Sequence, residues 1–296
     1  MLSILIPTYN YNCYPLVEEL WQQAKELNAP FEIIVADDAS REEMKIDNRQ
    51  INKLSNCRYL ELEKNIGRAC IRNLLGEEAQ YKYLLFLDSD AGVKEKYFLR
   101  KYLEVAPSAD VVCGGLLHPS SPISASSTLR YRYEKNADKR RNVSYRRKFP
   151  YKQFTAFNLL IKKEVFLAIK FDESFVLYGH EDTVLGAELK RRSIPILHID
   201  NALYHLGLEN NEIFLRKTEI SIANLICEKD KLKKSSRLYL NYSSLCNKGM
   251  KPFIMLSFKL FSKALRKNLL GTHPNMKLFA LYKLGYLCSI DHCSKK

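Results

Sequence analysis

The chain has 296 residues, 46% hydrophobic and 27% charged, with 11 Gly and 10 Pro, which excludes a disordered or collagen-like polymer and allows a full core. Its 47 Lys and Arg against 33 Asp and Glu give a net charge of +14, unevenly placed: residues 1–210 carry 30 basic and 28 acidic side chains, residues 211–296 carry 17 and 5. A near-neutral body with a basic tail points to phosphate-bearing partners, whether nucleotide, anionic lipid or nucleic acid, or to a solvated basic surface.

No run of 18 apolar residues occurs, so no membrane-spanning helix is expected. Met1–Pro7 lacks a basic leader and a long apolar stretch, so no secretory signal is expected either. The 8 Cys contain no C-x-x-C pair, consistent with reduced thiols in the cytoplasm and against a zinc site.

Leu2–Ile6 reads as a buried strand closed by Pro7-Thr8-Tyr9-Asn10, and residues 15–27 as an amphipathic helix opened by Pro15. Phe31–Ala36 is a second apolar strand that runs into Asp37-Asp38-Ala39-Ser40. Arg58–Leu62 is a third, Gly67–Gln80 a helix, and Tyr83–Leu87 a strand ending at Asp88-Ser89-Asp90. A further strand over Asp110–Cys113 precedes a basic stretch, 130–152, with 10 basic and 2 acidic residues. Then come Phe154–Ile161, a helix over Lys163–Ile169, a helix from Thr183 to Arg192 headed by Glu181-Asp182, and a strand over Pro195–Ile199.

Short apolar strands alternating with helices imply an α/β fold with a mostly parallel sheet covered on both faces. Polar motifs follow three of the strands, where open α/β sheets bind ligands. Neither GxGxxG after the first strand nor GxxxxGK[ST] occurs, which removes the main support for a dinucleotide oxidoreductase or a P-loop enzyme.

Asp88 and Asp90 at i and i+2 suit a hard cation that bridges diphosphate oxygens, or a solvated turn. Glu181-Asp182 at a helix start is either a cap or a general base. His205, after the last strand, is a metal ligand, a phosphate contact or a structural histidine. Arg68 and Arg72, one turn apart, reach a diphosphate or stand as exposed helix charges.

Beyond 210 the chain is Lys-rich and helical. Residues 252–270 place Ile254, Phe258, Phe261, Leu265 and Leu269 on one face and Lys259, Lys263, Arg266 and Lys267 on another. That helix either lies on an anionic membrane or packs its stripe on the body.

Taken in order, Ser3–Asn10, Glu32–Ser40, Asn65-Ile66-Gly67-Arg68-Ala69 with Arg72-Asn73, Phe86–Asp90 and Gly179–Asp182 resemble the family 2 glycosyltransferases of the GT-A fold, over about residues 2–208. The resemblance implies a GT-A domain over 1–210 followed by a basic, mainly helical extension over 211–296. It implies single-sugar transfer with inversion from a nucleotide-sugar, a UDP-sugar by expectation, to a saccharide or lipid-linked acceptor.

Under it Pro7, Thr8 and Tyr9 line the nucleotide pocket, Asp38 bonds the uracil edge with Asp37 nearby, and Asn65 and Arg72 border the nucleotide. Asp88 and Ser89 join that set. Asp90, with Asp88 and His205, holds Mn²⁺ or Mg²⁺. Asp182 is the base, with Glu181 beside it, and 130–152 is a mobile acceptor loop. Ala39 stands where the family usually has Gly, and no Q-x-x-R-W motif of processive polymerases is present.

Two other readings compete. A sugar-phosphate nucleotidyltransferase would show a Gly-rich basic loop after the first strand, and 7–12 has neither Gly nor Lys nor Arg. A nucleic-acid-binding protein would use the +14 charge and the 18 Tyr and 14 Phe, yet the basic excess lies away from the acidic motifs and no nucleic-acid partner is expected.

Overall fold

The computed structural model describes residues 1–120 and 124–293. In chain order the elements are β1 (Leu2–Thr8), α1 (Tyr14–Lys25), β2 (Phe31–Asp37), α2 (Glu42–Asn48), β3 (Cys57–Glu61), α3 (Arg68–Glu78), β4 (Tyr83–Leu87), β5 (Ala91–Gly92), α4 (Phe98–Val105), β6 (Val111–Cys113) and β7 (Leu116–Leu117). They continue as α5 (Thr128–Lys135), α6 (Val143–Lys148), β8 (Asn158–Lys162), α7 (Lys163–Ile169), α8 (Glu181–Arg191), β9 (Ile196–His198) and β10 (Leu203–His205). The helices α9 (Asn211–Cys227), α10 (Lys229–Leu232), α11 (Arg237–Asn247), α12 (Lys251–Leu270) and α13 (Met276–Cys293) follow.

The chain divides into two compact units. The first is built from 1–118, 138–176 and 181–207; the second takes in 119–137 and 177–180 as well as the region from 208 onward.

In the first unit a sheet of order β3-β2-β1-β4-β8-β6-β9 is parallel throughout except at β8, which runs antiparallel to both β4 and β6. Successive side chains of a strand point to opposite faces. Accordingly Leu2, Ile4 and Ile6 enter one core with Leu16, Val17 and Leu20 of α1 and Phe98 of α4. Leu5, Ile34 and Phe86 enter the other, with Ile71 and Leu75 of α3, Phe166 of α7 and Leu185 of α8. Strands buried on both faces need no polar alternation, which is why they read as unbroken apolar runs.

Of the stretch 154–161, only 158 onward is strand; Thr155 and Ala156 lie in the loop before it. A second, small sheet sets β10 antiparallel to β5 and parallel to β7.

The basic stretch 130–152 is not a uniformly solvated surface. Arg146 is buried, and its guanidinium donates to the carbonyls of Cys113, Gly114 and Ile199 at 2.8–3.0 Å. A Cβ on Gly115, whose φ is +94°, would meet that guanidinium at 2.7 Å.

In the second unit Leu129 of α5, Phe214 and Leu215 of α9, Leu269 of α12 and Phe279 of α13 form one core. Ile222, Tyr242, Leu287 and Cys288 form another. Four members of the stripe expected on α12, Ile254, Phe258, Leu265 and Leu269, pack into these cores. Gly285 of α13 permits the close approach, since a Cβ there would sit 2.4 Å from the Phe258 ring. Phe261 departs from the expectation: it lies at the edge of the stripe and is 60% exposed. No helix of the described residues is long and apolar enough to cross a membrane.

Candidate active site

The parallel register pairs Thr8 with Asp37, so β1 and β2 end side by side. Thr8 is buried, and its carbonyl accepts from Asp38 N at 2.9 Å. Pro7 is half-buried, and Tyr9, just past the strand, is 55% exposed. Asp37 is wholly enclosed: its carboxylate accepts from the Tyr59 hydroxyl and from Ser40 N, each at 2.6 Å. Burial, followed by that hydrogen bond to Asp37, raises the Tyr59 hydroxyl well above its ordinary value.

Asp38 accepts from Ile66 N at 2.7 Å and Gly67 N at 3.0 Å, while Asn65 Nδ2 donates to the Asp38 carbonyl at 3.0 Å. This ties the end of β2 to the loop that opens α3, where Gly67 turns at φ +87°. Burial raises the Asp38 carboxyl above its ordinary value, and the two N–H donors partly oppose it.

On α3, Arg72 is 1% exposed and donates to Asp88 Oδ1 at 2.5 Å. Arg68 bridges Asp88 Oδ2 at 3.3 Å and Glu181 Oε1 at 2.7 Å, joining the end of β4 to the start of α8. Burial alone would raise the Asp88 carboxyl, but Arg72 and Arg68 hold it well below the usual carboxylate range. The same pattern holds for Glu181: burial opposes ionisation, Arg68 and then Arg72 favour it, and the net direction is down. The reading of Arg72 as an exposed helix charge therefore does not hold.

Asp90 is set differently. The pairing of β5 with β10 brings His205 Nε2 to 3.1 Å from Asp90 Oδ2. Asp90 Oδ1 is buried and has no hydrogen-bond partner among the described residues. Gly207 completes the cradle, because a Cβ there would lie 2.2 Å from Asp90 Oδ2. Beyond His205, the buried His118 lies with its ring centroid 6.1 Å from that of His205.

Helix α8 begins two residues earlier than expected, so Glu181 and Asp182 both stand in its first turn. Asp182 Oδ2 accepts from Thr155 Oγ1 and from Ala156 N, each at 3.0 Å. Thr155 Oγ1 in turn accepts from Phe157 N at 3.2 Å, which leaves its proton directed at Asp182. Asp182 Oδ1 is buried without a partner among the described residues. Burial, then repulsion by Glu181, pushes the Asp182 carboxyl up to about 6 against the pull of Arg72.

The family model described as Glycosyl transferase family 2 matches residues 3–168, more than half of the chain. The chain belongs to glycosyltransferase family 2. Chondroitin synthase of Escherichia coli is 27% identical over 239 residues, covering 69% of this chain and 34% of that protein. The putative teichuronic acid biosynthesis glycosyltransferase TuaG of Bacillus subtilis is 34% identical over 106 residues, 35% of this chain and 41% of that one. The chain thus spans well under half the length of these relatives.

Among solved structures, the Pyrobaculum calidifontis mannosyltransferase PcManGT, in complex with GDP-Man and Mn²⁺, superposes with a TM-score of 0.57 at 14% identity, covering 100% of this chain and 87% of that one. Residues 1–349 of Staphylococcus aureus TarS give 0.50 at 17% identity, covering 100% and 92%. These likenesses fix the GT-A glycosyltransferase fold.

Within the first unit, Asp88, Arg68, Arg72, Glu181 and Asp182 form one electrostatic cluster, and Asp90 with His205 a second pair. Sequence reading did not find Thr155, Ala156 or His118. Thr155 carries a usable signal only once β8 is placed, because it sits just ahead of a strand antiparallel to β4. Tyr11 was also missed; burial, then the charge of Asp90, raises its hydroxyl.

Proposed function

We propose that this chain transfers one sugar from a nucleotide-sugar, by preference a UDP-sugar, to a hydroxyl of a saccharide or lipid-linked acceptor, with inversion, in cell-surface polysaccharide or glycoconjugate synthesis. The names borne by the bacterial relatives support that setting. The reading includes an anionic membrane surface as partner, with the protein peripheral at the inner face of the membrane.

One observation carries the proposal: in a crevice whose other acidic groups are tied down, Asp182 Oδ1 and Asp90 Oδ1 are buried and unpartnered among the described residues. Thr155 and Ala156 hold Oδ2 of Asp182, leaving Oδ1 to take the acceptor proton. A carboxyl at about 6 is ionised at neutral pH yet basic enough to accept a proton in the transition state. As the acceptor oxygen bonds to the anomeric carbon from the face opposite the diphosphate, the bond from that carbon to the diphosphate oxygen breaks, and the configuration inverts.

Tyr9 offers an exposed ring at the end of β1 for the nucleobase, beside Pro7 and Thr8. Each oxygen of Asp38 takes a single N–H and keeps a lone pair for a uracil N–H, with Asp37 and Asn65 holding that loop in place. Arg72, Asp88 and Ser89 border the ribose and diphosphate.

Asp90 and His205 would hold Mn²⁺ or Mg²⁺, with Asp88 beside them and both its oxygens engaged by guanidinium groups. When bound, the cation neutralises the leaving diphosphate.

The test is a thermal-shift panel of UDP, GDP, TDP and CMP with and without Mn²⁺, on the natural chain and on Asp90→Ala. A ligand that binds only the native state raises its melting temperature. A UDP shift that needs Mn²⁺ and vanishes in Asp90→Ala is expected. A larger GDP shift would overturn the uridine assignment, and no shift with any nucleotide would overturn the transferase reading.

A further inference from the structure

We propose that the second unit docks on an anionic lipid bilayer through an outward apolar ridge on α12 and α13, made of Phe253, Leu256, Leu260, Phe261 and Leu281. This deepens, and rests on, the peripheral-membrane part of the proposed function. It assigns the contact to a different face from the stripe that is conspicuous in the sequence, because Ile254, Phe258, Leu265 and Leu269 are occupied in the cores of the unit.

The ridge residues are 56–70% exposed. At 100° per residue, Phe253, Leu260, Phe261 and the exposed Ala264 fall within about a 100° arc of α12. Beside them a groove of about 570 Å³ opens between α12 and α13, its walls including Phe253, Phe258, Phe261, Leu265, Leu281 and Leu284. Soluble monomers rarely leave so many large apolar side chains contiguous in water.

Charge selects the occupant. Residues 231–290 contain 12 Lys and Arg and no Asp or Glu. Lys259, Lys263 and Lys267 follow one border of the ridge along α12, and Lys277 stands on α13; all four are exposed. An apolar strip edged by lysines matches the boundary between acyl chains and anionic headgroups: rings and leucines enter the boundary while ammonium groups meet phosphates. A second copy of the chain would bring the same positive border against itself.

The test is co-sedimentation of the full chain with vesicles of phosphatidylcholine alone and of phosphatidylcholine mixed with phosphatidylglycerol, at low and high salt. The expected result is binding to the mixed vesicles only, weakened by salt. Changing Phe253, Leu260 and Phe261 together to Ser is expected to weaken it by on the order of tenfold or more. Changing Lys259, Lys263 and Lys267 together to Glu is expected to do the same by removing the charge.

Binding by the natural chain that survives the serine changes would overturn this face and leave the peripheral reading intact. No binding by the natural chain to either vesicle would overturn both. A concentration-dependent dimer that the serine changes dissolve would assign the ridge to a second copy instead. A Mn²⁺-dependent nucleotide shift, retained in both variants, separates any of these failures from failure of the nucleotide site.

Discussion

Asp88 and Asp90 stand two residues apart on one turn, yet the protein treats them in opposite ways. Arg72 and Arg68 take both oxygens of Asp88, and the β5–β10 pairing gives Asp90 one imidazole and leaves Oδ1 without a partner among the described residues. The same division separates Glu181, gripped by Arg68, from Asp182, whose Oδ1 is likewise unpartnered. A buried polar atom without a partner costs free energy comparable to a lost hydrogen bond. The matched carboxylates therefore hold the crevice together, and the unmatched ones are where chemistry is expected. Substitutions on the two sides should fail in different ways.

The largest effect is expected on the unmatched side. Asp182→Asn keeps the shape and removes the proposed base, so turnover should fall by roughly 10²–10⁴-fold, the usual contribution of general base catalysis. Nucleotide binding, read by thermal shift, should persist. Normal turnover in this variant would dismiss Asp182 as the base, and simultaneous loss of nucleotide binding would make it structural.

On the matched side the expected loss is stability. Arg72→Met keeps most of the apolar stem but leaves Asp88 with Arg68 alone at 3.3 Å, and removing one partner of a fully buried ion pair costs about 3–5 kcal/mol, an upper bound here. Urea unfolding of this variant should show a clearly lower midpoint. A variant as stable as the natural chain but unable to bind nucleotide would move Arg72 from scaffold to ligand contact.

The sequence made the positions of these carboxylates far more legible than the partners that hold them. Apolar runs and turn residues located β1, β2 and β4, and with them Thr8, Asp37, Asp38, Asp88 and Asp90, because strand burial and ligand placement at strand ends are local properties. The contacts of Glu181 and Asp182 are not local: Arg68 reaches Glu181 across 113 residues, and Asp182 meets Thr155 across 27. Those pairings depend on β8 entering the sheet antiparallel between β4 and β6, which no periodicity in the chain announces. On α12 periodicity marked the packed stripe correctly apart from Phe261, but the exposed ridge depends on which face α13 covers, and that is not a local property of α12.

Thr155 allows a finer test of the unmatched side. Its hydroxyl donates to the ionised form of Asp182, so Thr155→Val should raise that carboxyl further. The proposed base works deprotonated, so kcat/KM should fall as pH drops through about 6 in the natural chain. In Thr155→Val that acidic limb should move up by about one unit, since a hydrogen bond to a charged group is worth about 1.5–3 kcal/mol at most and Ala156 N still donates. Thr155→Ser should restore the natural profile. An unmoved limb alongside a reduced kcat would assign Thr155 to packing alone.

The smallest effect expected lies on the matched side, at the turn after β2. Ala39 holds φ at +61°, in the left-handed region where a Cβ crowds the following carbonyl and costs roughly 1–2 kcal/mol. The strain is held in place by its neighbours: Ser40 N donates to Asp37 at 2.6 Å, and Asp38 N to the Thr8 carbonyl at 2.9 Å. Glycine relieves the strain but adds freedom to the unfolded chain, returning part of the gain. Ala39→Gly should therefore raise stability by no more than about 1 kcal/mol, read from the urea midpoint, with nucleotide affinity unchanged. A loss of stability would mean that the rigidity Ala gives the turn outweighs its strain, and that the turn is set by Asp37 and Asp38 more firmly than by its own backbone preference.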